Sequence, residues 1–332
     1  MTEEEGTVRG APASGAVSAA PAAAAPRRAA LLSHLRAVLV SMRPRQWTKN
    51  LIVYMALLFS INQEWRPGEP STWGPLLGEA ALAFLFFCLI SSADYLVNDV
   101  RDRESDRVHP RKRFRPIAAG QLSTGAALGW AGLLSMVALA GSFALDWRTG
   151  AIVVGYMALM LGYSFHLKHV VLLDMMAIAA GFVLRAMAGA LVIDVPISPW
   201  LYVVTALGAL FLTINKRRAE LVLLQEDANR HRPILEEYSH DLLDQMASMV
   251  TASTVIAYGL YTFTADNLPE NNSMMLTIPF VVYGLFRYLY LVHTRSEGGS
   301  PEDVLLKDWP LIADILLWLA VSGTILVVFE RT

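Results

Sequence analysis

The chain has 332 residues, 55% of them hydrophobic and 17% charged, with a formal net charge of −2. Soluble domains carry about 45–50% apolar and about 25% charged residues, so an ordinary soluble globule, a disordered chain and a collagen-like repeat are excluded for the bulk of it. The lone cysteine, Cys88, excludes an internal disulfide, and its place in the run AALAFLFFCLI reads as a small buried hydrophobe.

Residues 1–30 begin TEEEG and continue as an Ala/Pro/Ser tract without large apolar side chains. Such a composition cannot build a packed core, so a disordered tail is expected, followed by a short interfacial helix over 31–42. A membrane-crossing helix needs about 20 mostly apolar residues. Nine stretches answer that description: 47–62, 77–97, 125–145, 150–167, 170–192, 200–214, 246–265, 275–293 and 309–329. The breaks DWRTG and DVPISP carry turn residues, so the stretches flanking each of them read as helical hairpins. A soluble helical bundle would show polar faces at helical period, and 77–97 and 309–329 have none. The fold class expected is therefore all-α, a polytopic membrane protein with 31–332 as one transmembrane domain.

With the N-terminus inside, loops 98–124, 215–245 and 294–308 share the cytoplasmic side. Only Arg66, Arg148 and Arg331 of the 27 Lys and Arg fall in the opposite loops, and Arg185 and Arg287 lie within spans. That asymmetry satisfies the positive-inside rule and predicts an N-in, C-out orientation.

The second span runs into Asn98-Asp99-Val100-Arg101-Asp102-Arg103-Glu104-Ser105-Asp106. At about 100° per residue, Asn98, Asp102 and Asp106 fall near 0°, 40° and 80°, with Asp99 near 100° and Glu104 turned away. Like charges at i,i+4 destabilise a helix, so the array calls for a cation. Hard divalent ions take oxygen ligands, and Mg²⁺ typically binds through one or two carboxylates plus substrate phosphates. A solvated helix end, its acids paired with Arg101, Arg103 and Arg107, is the simpler alternative. The regular register at a membrane-helix end favours a metal–diphosphate site on Asn98, Asp102 and Asp106, with Asp99 as a further or outer ligand. The loop that follows supplies Lys112, Arg113 and Arg115, whose charges suit phosphate oxygens. A purely topogenic loop would explain these bases but not the acids.

NDVRDRESD matches the N-D-x-x-D-x-x-x-D signature of the UbiA-type intramembrane prenyltransferase superfamily, and RFRPIAAG resembles its trailing segment. The opening RPRQWTKN, Arg43 to Asn50 with Lys49 inside it, is also similar. The resemblance spans about residues 38–330 and implies nine helices around a central cavity, with the Asp-rich loops over its cytoplasmic mouth. Aromatic prenyltransferases of this superfamily carry a second D-x-x-x-D motif between the sixth and seventh helices. Here that place reads TINKRRAEL, basic at Lys216 and Arg217. A basic helix end can be merely topogenic, and Lys216 can simply pair with Glu220 at i,i+4. Within YSFHLKHVVLLDMMAIAAGFVLRAMAGA, Asp174 and Arg185 share one helix face about 16 Å apart. An arginine that deep in a span faces a cavity or a partner, for instance Asp94.

Taken together, NDVRDRESDRVHPRKRFRPIAAG, that segment and NKRRAEL resemble the phosphoribosyl-transferring branch of the superfamily. This implies a plasma-membrane enzyme that uses phosphoribosyl pyrophosphate as donor, decaprenyl phosphate as acceptor and Mg²⁺ as cofactor. Its product would lead to the arabinose donor of arabinogalactan and lipoarabinomannan. Lys49, Lys112, Arg113, Arg115, Tyr163, Lys168, Asp174, Arg185, Lys216 and Arg217 are then the candidate substrate-binding residues. Prenyl transfer to an aromatic or other small acceptor and a non-enzymatic channel or transporter remain the alternatives.

Overall fold

The computed structural model describes residues 25–110, 112–196, 198–225, 233–266, 268–295 and 301–329. Helix α1 covers Ala25–Met42 and so begins six residues before the expected start; residues 1–24 of the expected tail lie outside the described residues. The segment expected as a membrane helix over 47–62 is different in kind. Pro44–Tyr54 wind as a 3-10 helix that passes into α2 (Met55–Phe59). In a 3-10 helix side chains three apart eclipse one another. Trp47, Asn50 and Val53 therefore line up on one edge, and that edge is the one used. Trp47 Nε1 donates to Ser92 Oγ at 3.1 Å, Asn50 Nδ2 donates to Ser91 Oγ at 3.4 Å, and Val53 is wholly buried.

The remaining helices follow in chain order: α3 (Pro70–Arg101), α4 (Arg103–Val108), α5 (Thr124–Leu145), α6 (Trp147–Phe165), α7 (Leu173–Val192), α8 (Pro199–Gln225), α9 (His240–Thr264), α10 (Ile278–Arg295), α11 (Pro301–Lys307) and α12 (Trp309–Val328). Ser123, Asp146, Ser239 and Asp308 cap α5, α6, α9 and α12, each accepting a hydrogen bond from the backbone N–H three residues on. Among the described residues no strand forms beyond a single bridge between Ile61 and Trp65. Among the described residues six helical segments are long and apolar enough to cross a membrane: 70–101, 124–145, 173–192, 240–264, 273–294 and 309–328. Their outward faces bare Met136, Val137, Leu316 and Leu317, side chains that lipid rather than water accommodates. The chain is an integral membrane protein. The segment 44–59, α6 and α8 pack in the same bundle without being among those six.

One core cluster joins Val53, Phe87, Tyr156 and Ala188, with Phe87 and Tyr156 edge to face at 5.4 Å. A second joins Phe59, Tyr261, Met274 and Ile325, so the beginning of the bundle meets its end. Asn62 Nδ2 also donates to the Leu326 carbonyl at 2.8 Å. Arg287, ambiguous in sequence, forks onto Asp308 at 3.1 and 2.8 Å and ties α10 to the start of α12.

Helix α7 touches the 3-10 segment so closely at Gly189 that a Cβ there would overlap the Val53 carbonyl. Gly189→Ala is expected to cost about 1–3 kcal/mol through overpacking. The check is the melting midpoint of the detergent-solubilised protein, with Gly155→Ala, which meets nothing within 4 Å, as control.

Candidate active site

The acid array sits where α3 gives way to α4. Asp102 leaves ideal helical geometry (φ −86°, ψ 3°), yet its N–H still reaches the Asn98 carbonyl at 2.9 Å. The Asp106 N–H in turn reaches the Asp102 carbonyl at 2.8 Å. Asn98, Asp102 and Asp106 accordingly remain stacked on successive turns. Glu104 is exposed and takes Arg107 at 3.0 Å.

Asn98 Nδ2 donates to Asp102 Oδ2 at 3.1 Å, and Lys168 Nζ donates to Asp102 Oδ1 at 2.6 Å and Asn98 Oδ1 at 3.4 Å. The Ser164 hydroxyl donates to Asn98 Oδ1 at 3.3 Å. Lys168 is 3% exposed, so its charge is aimed at this cluster rather than at solvent. Arg115 Nη1 bridges Asp106 Oδ2 at 2.6 Å and Asp99 Oδ1 at 3.1 Å. Asp99, 2% exposed, also pairs with Arg43. Sequence reasoning did not single out Arg43, although it heads the RPRQWTKN segment. Its backbone is left-handed (φ 54°), a conformation uncommon outside glycine. The Asp99 pair and stacking over Tyr95, 4.8 Å from the ring centroid, hold it there.

A second cluster lies one residue along α6. Arg217 Nε donates to Asp174 Oδ2 at 2.7 Å, Nη1 to Glu220 Oε2 at 2.5 Å and Nη2 to the Tyr163 hydroxyl at 3.4 Å. The Tyr238 hydroxyl donates to Asp174 Oδ1 at 2.8 Å and accepts from the Leu172 N–H at 2.7 Å. Burial pushes the Tyr238 phenol up to about 12, so it stays a proton donor at neutral pH. Tyr238 had no signature in the sequence, since it follows a short 3-10 turn with no motif around it.

Other candidates are placed differently. Asp174 and Arg185 share a helix without meeting: Arg185 donates from Nε to Asn50 Oδ1 and from Nη2 to the Tyr156 hydroxyl, both at 2.7 Å. Its guanidinium also stacks over the Tyr156 ring at 4.6 Å. The expected partner Asp94 makes no ion pair with it. Arg113 is exposed and lies over the Phe114 ring at 4.8 Å. Lys112 and Lys216 are half-buried, and Lys49 donates to Gln46 Oε1 at 2.5 Å.

Among the described residues no three or more His, Cys, Asp and Glu side chains converge as a ready-made metal cage. The donors of the array are all hard oxygens, and its carboxylates already balance cations. That chemistry fits a divalent ion that arrives with phosphate ligands of its own, as Mg²⁺ usually does.

The sequence pattern of the UbiA prenyltransferase family matches residues 65–327, and the chain belongs to that family. The decaprenyl-phosphate phosphoribosyltransferase of Mycolicibacterium smegmatis is 36% identical over 294 residues, covering 85% of this chain and 90% of its own. The enzyme of the same name from Corynebacterium glutamicum is 38% identical over 286 residues, covering 84% and 83%. The fold matches a UbiA homolog from Archaeoglobus fulgidus bound to GPP and Mg²⁺, with TM-score 0.67, 18% identity, and 88% and 99% of the two chains covered.

Removing one partner of a buried ion pair costs about 3–5 kcal/mol. Asp174→Asn is expected to lose stability on that scale, and the Asp174→Asn/Arg217→Leu double variant to recover part of it. A double-mutant cycle on thermal midpoints checks both.

Proposed function

We propose that the chain transfers 5-phosphoribosyl from phosphoribosyl pyrophosphate to decaprenyl phosphate, with release of diphosphate, at the cytoplasmic face of the plasma membrane. The product feeds the arabinose donor for arabinogalactan and lipoarabinomannan. The observation that carries this reading is the pairing of two unlike clusters through Tyr163 and Ser164. One is an acid ladder served by Lys168 and Arg115; the other is built on the Arg217 guanidinium, held by Asp174, Glu220 and Tyr163, where aromatic prenyltransferases have a second acid motif. A donor with a diphosphate and a second, remote phosphate suits that pair, and the relatives of that name share 36–38% identity over most of the chain.

Asn98, Asp102 and Asp106 would hold Mg²⁺, with Asp99 as an outer ligand. When bound, the ion would supply positive charge that offsets the charge developing on the leaving diphosphate. Lys168 and Arg115, which neutralise the acids in the structure, turn to phosphate oxygens once the donor is seated. Lys216 and Arg217 bind the 5-phosphate or the acceptor phosphate, and Lys49, Lys112 and Arg113 add positive charge at the rim. Tyr163 orients the donor by a hydrogen bond. The acceptor phosphate is already anionic near neutral pH, so no general base is needed. It attacks C1 of the ribose opposite the departing diphosphate, with inversion. The protein's contribution is positioning and electrostatic stabilisation.

Nine crossings, N-terminus inside, complete this reading. The 3-10 winding bears on the first of them. At ~2.0 Å rise per 3-10 residue and ~1.5 Å per α residue, the segment 44–59 reaches roughly 30 Å, the thickness of the hydrocarbon core.

Membranes given radiolabelled phosphoribosyl pyrophosphate and decaprenyl phosphate should yield Mg²⁺-dependent label in the organic phase. Asp102→Asn and Asp106→Asn should each lower that transfer at least about 100-fold while the folded protein persists. Lys216→Ala should mainly raise the KM for the donor. Absence of lipid-linked label with wild-type protein, alongside transfer from a prenyl diphosphate to a small acceptor, would overturn the assignment.

A further inference from the structure

Asp94 takes no part in the clusters described above. It lies on α3 one turn before Asn98, about 6 Å deeper along the helix axis and on nearly the same face. Ser164, whose hydroxyl serves Asn98, also sits against Asp94. Asp94 Oδ1 is buried and has no hydrogen-bond partner. The residue lines a half-open cleft of about 200 Å³ whose other walls include Ile90, Val97, Met157, Leu161 and the half-exposed Leu128.

A carboxylate accepts hydrogen bonds and donates none, and a buried one without a donor is costly. The occupant that completes it must therefore bring a donor. A phosphate brings mainly acceptors, and negative charge that a buried carboxylate repels, and an isoprenoid chain brings neither donor nor polarity. A bare metal ion would find one other side-chain oxygen in the lining, Ser135 Oγ, too few for a hard cation. A hydroxyl on a compact body with apolar C–H faces meets every requirement, and the cleft has room for a sugar ring.

We infer that Asp94 is the specificity residue for the donor's sugar. It accepts a hydrogen bond from a ring hydroxyl of the pentose whose diphosphate lies on Asn98, Asp102 and Asp106. The inference rests on the phosphoribosyl-transfer reading and adds to it the group that distinguishes a sugar diphosphate from a prenyl diphosphate.

The test is a substrate–enzyme double-mutant cycle on the full-length protein in liposomes, using phosphoribosyl pyrophosphate and its 2-deoxy and 3-deoxy analogues. Wild-type protein should lose about 10- to 100-fold in kcat/KM with one of the two deoxy donors. Asp94→Ala should lose a similar factor with the natural donor and show no further loss with that analogue, so the preference collapses towards one. Asp94→Asn keeps an acceptor oxygen and should retain part of the preference, which serves if the alanine variant does not fold. A folded variant with wild-type selectivity, or a wild-type enzyme indifferent to both deletions, overturns the inference while leaving the reaction intact. No transfer from phosphoribosyl pyrophosphate by wild-type protein overturns the reaction and the sugar site together.

Discussion

A carboxylate withdrawn from water must be matched by positive charge and by hydrogen bonds, and Asp99 is where that requirement organises the molecule. It receives Arg43 from just before the 3-10 segment and Arg115 from the loop beyond α4. Three stretches distant in the chain thus converge on one buried oxygen. Arg115 also holds Asp106, so the loop cannot shift without disturbing both acids. Lys168 does the same for Asp102 from the turn between α6 and α7. The acids of the array are in this sense supplied with counterions by the protein itself. Under the proposed reading, those same cations would be at hand for the phosphates of a donor whose metal took up the acids.

Deeper in the bundle the polar contacts are of another kind. Arg185 is met by an amide, a phenol and two aromatic faces rather than by a carboxylate. Its charge is spread over partners on the 3-10 segment, α6 and α7, which fixes how these three lie together. Helix α7 makes that possible because its buried side is mostly small: Ala177, Ala179, Gly181, Ala186, Ala188, Gly189 and Ala190. Small residues let membrane helices approach closely, where dispersion and directed hydrogen bonds replace the hydrophobic drive available in water.

The sequence made the membrane class and the acid ladder legible because both depend on short-range periodicity. Apolar runs of helical length identify themselves, and residues at i, i+4 and i+8 share a face wherever the helix persists. Asn98, Asp102 and Asp106 even survive the break at Asp102. Partner choice was not legible, because it depends on which helices lie side by side. Asp174 and Arg185 looked related along one helix, yet Asp174 turns to Arg217 and Tyr238, and Arg185 to Asn50 and Tyr156. The winding of 44–54 escaped for a similar reason. Trp47, Asn50 and Val53 repeat at three residues, but only their packing against α3 and α7 favours that period over the α-helical one.

The contact of Asn62 with Leu326, and of Phe59 with Trp318 and Ile325, has a consequence for biogenesis. The charged clusters use side chains between Arg43 and Tyr238, all of them made before α12. Translation is vectorial, so these clusters can assemble while the wall against α2 still stands open to lipid. Helix α12, made after them, is then the one that closes the bundle against α2.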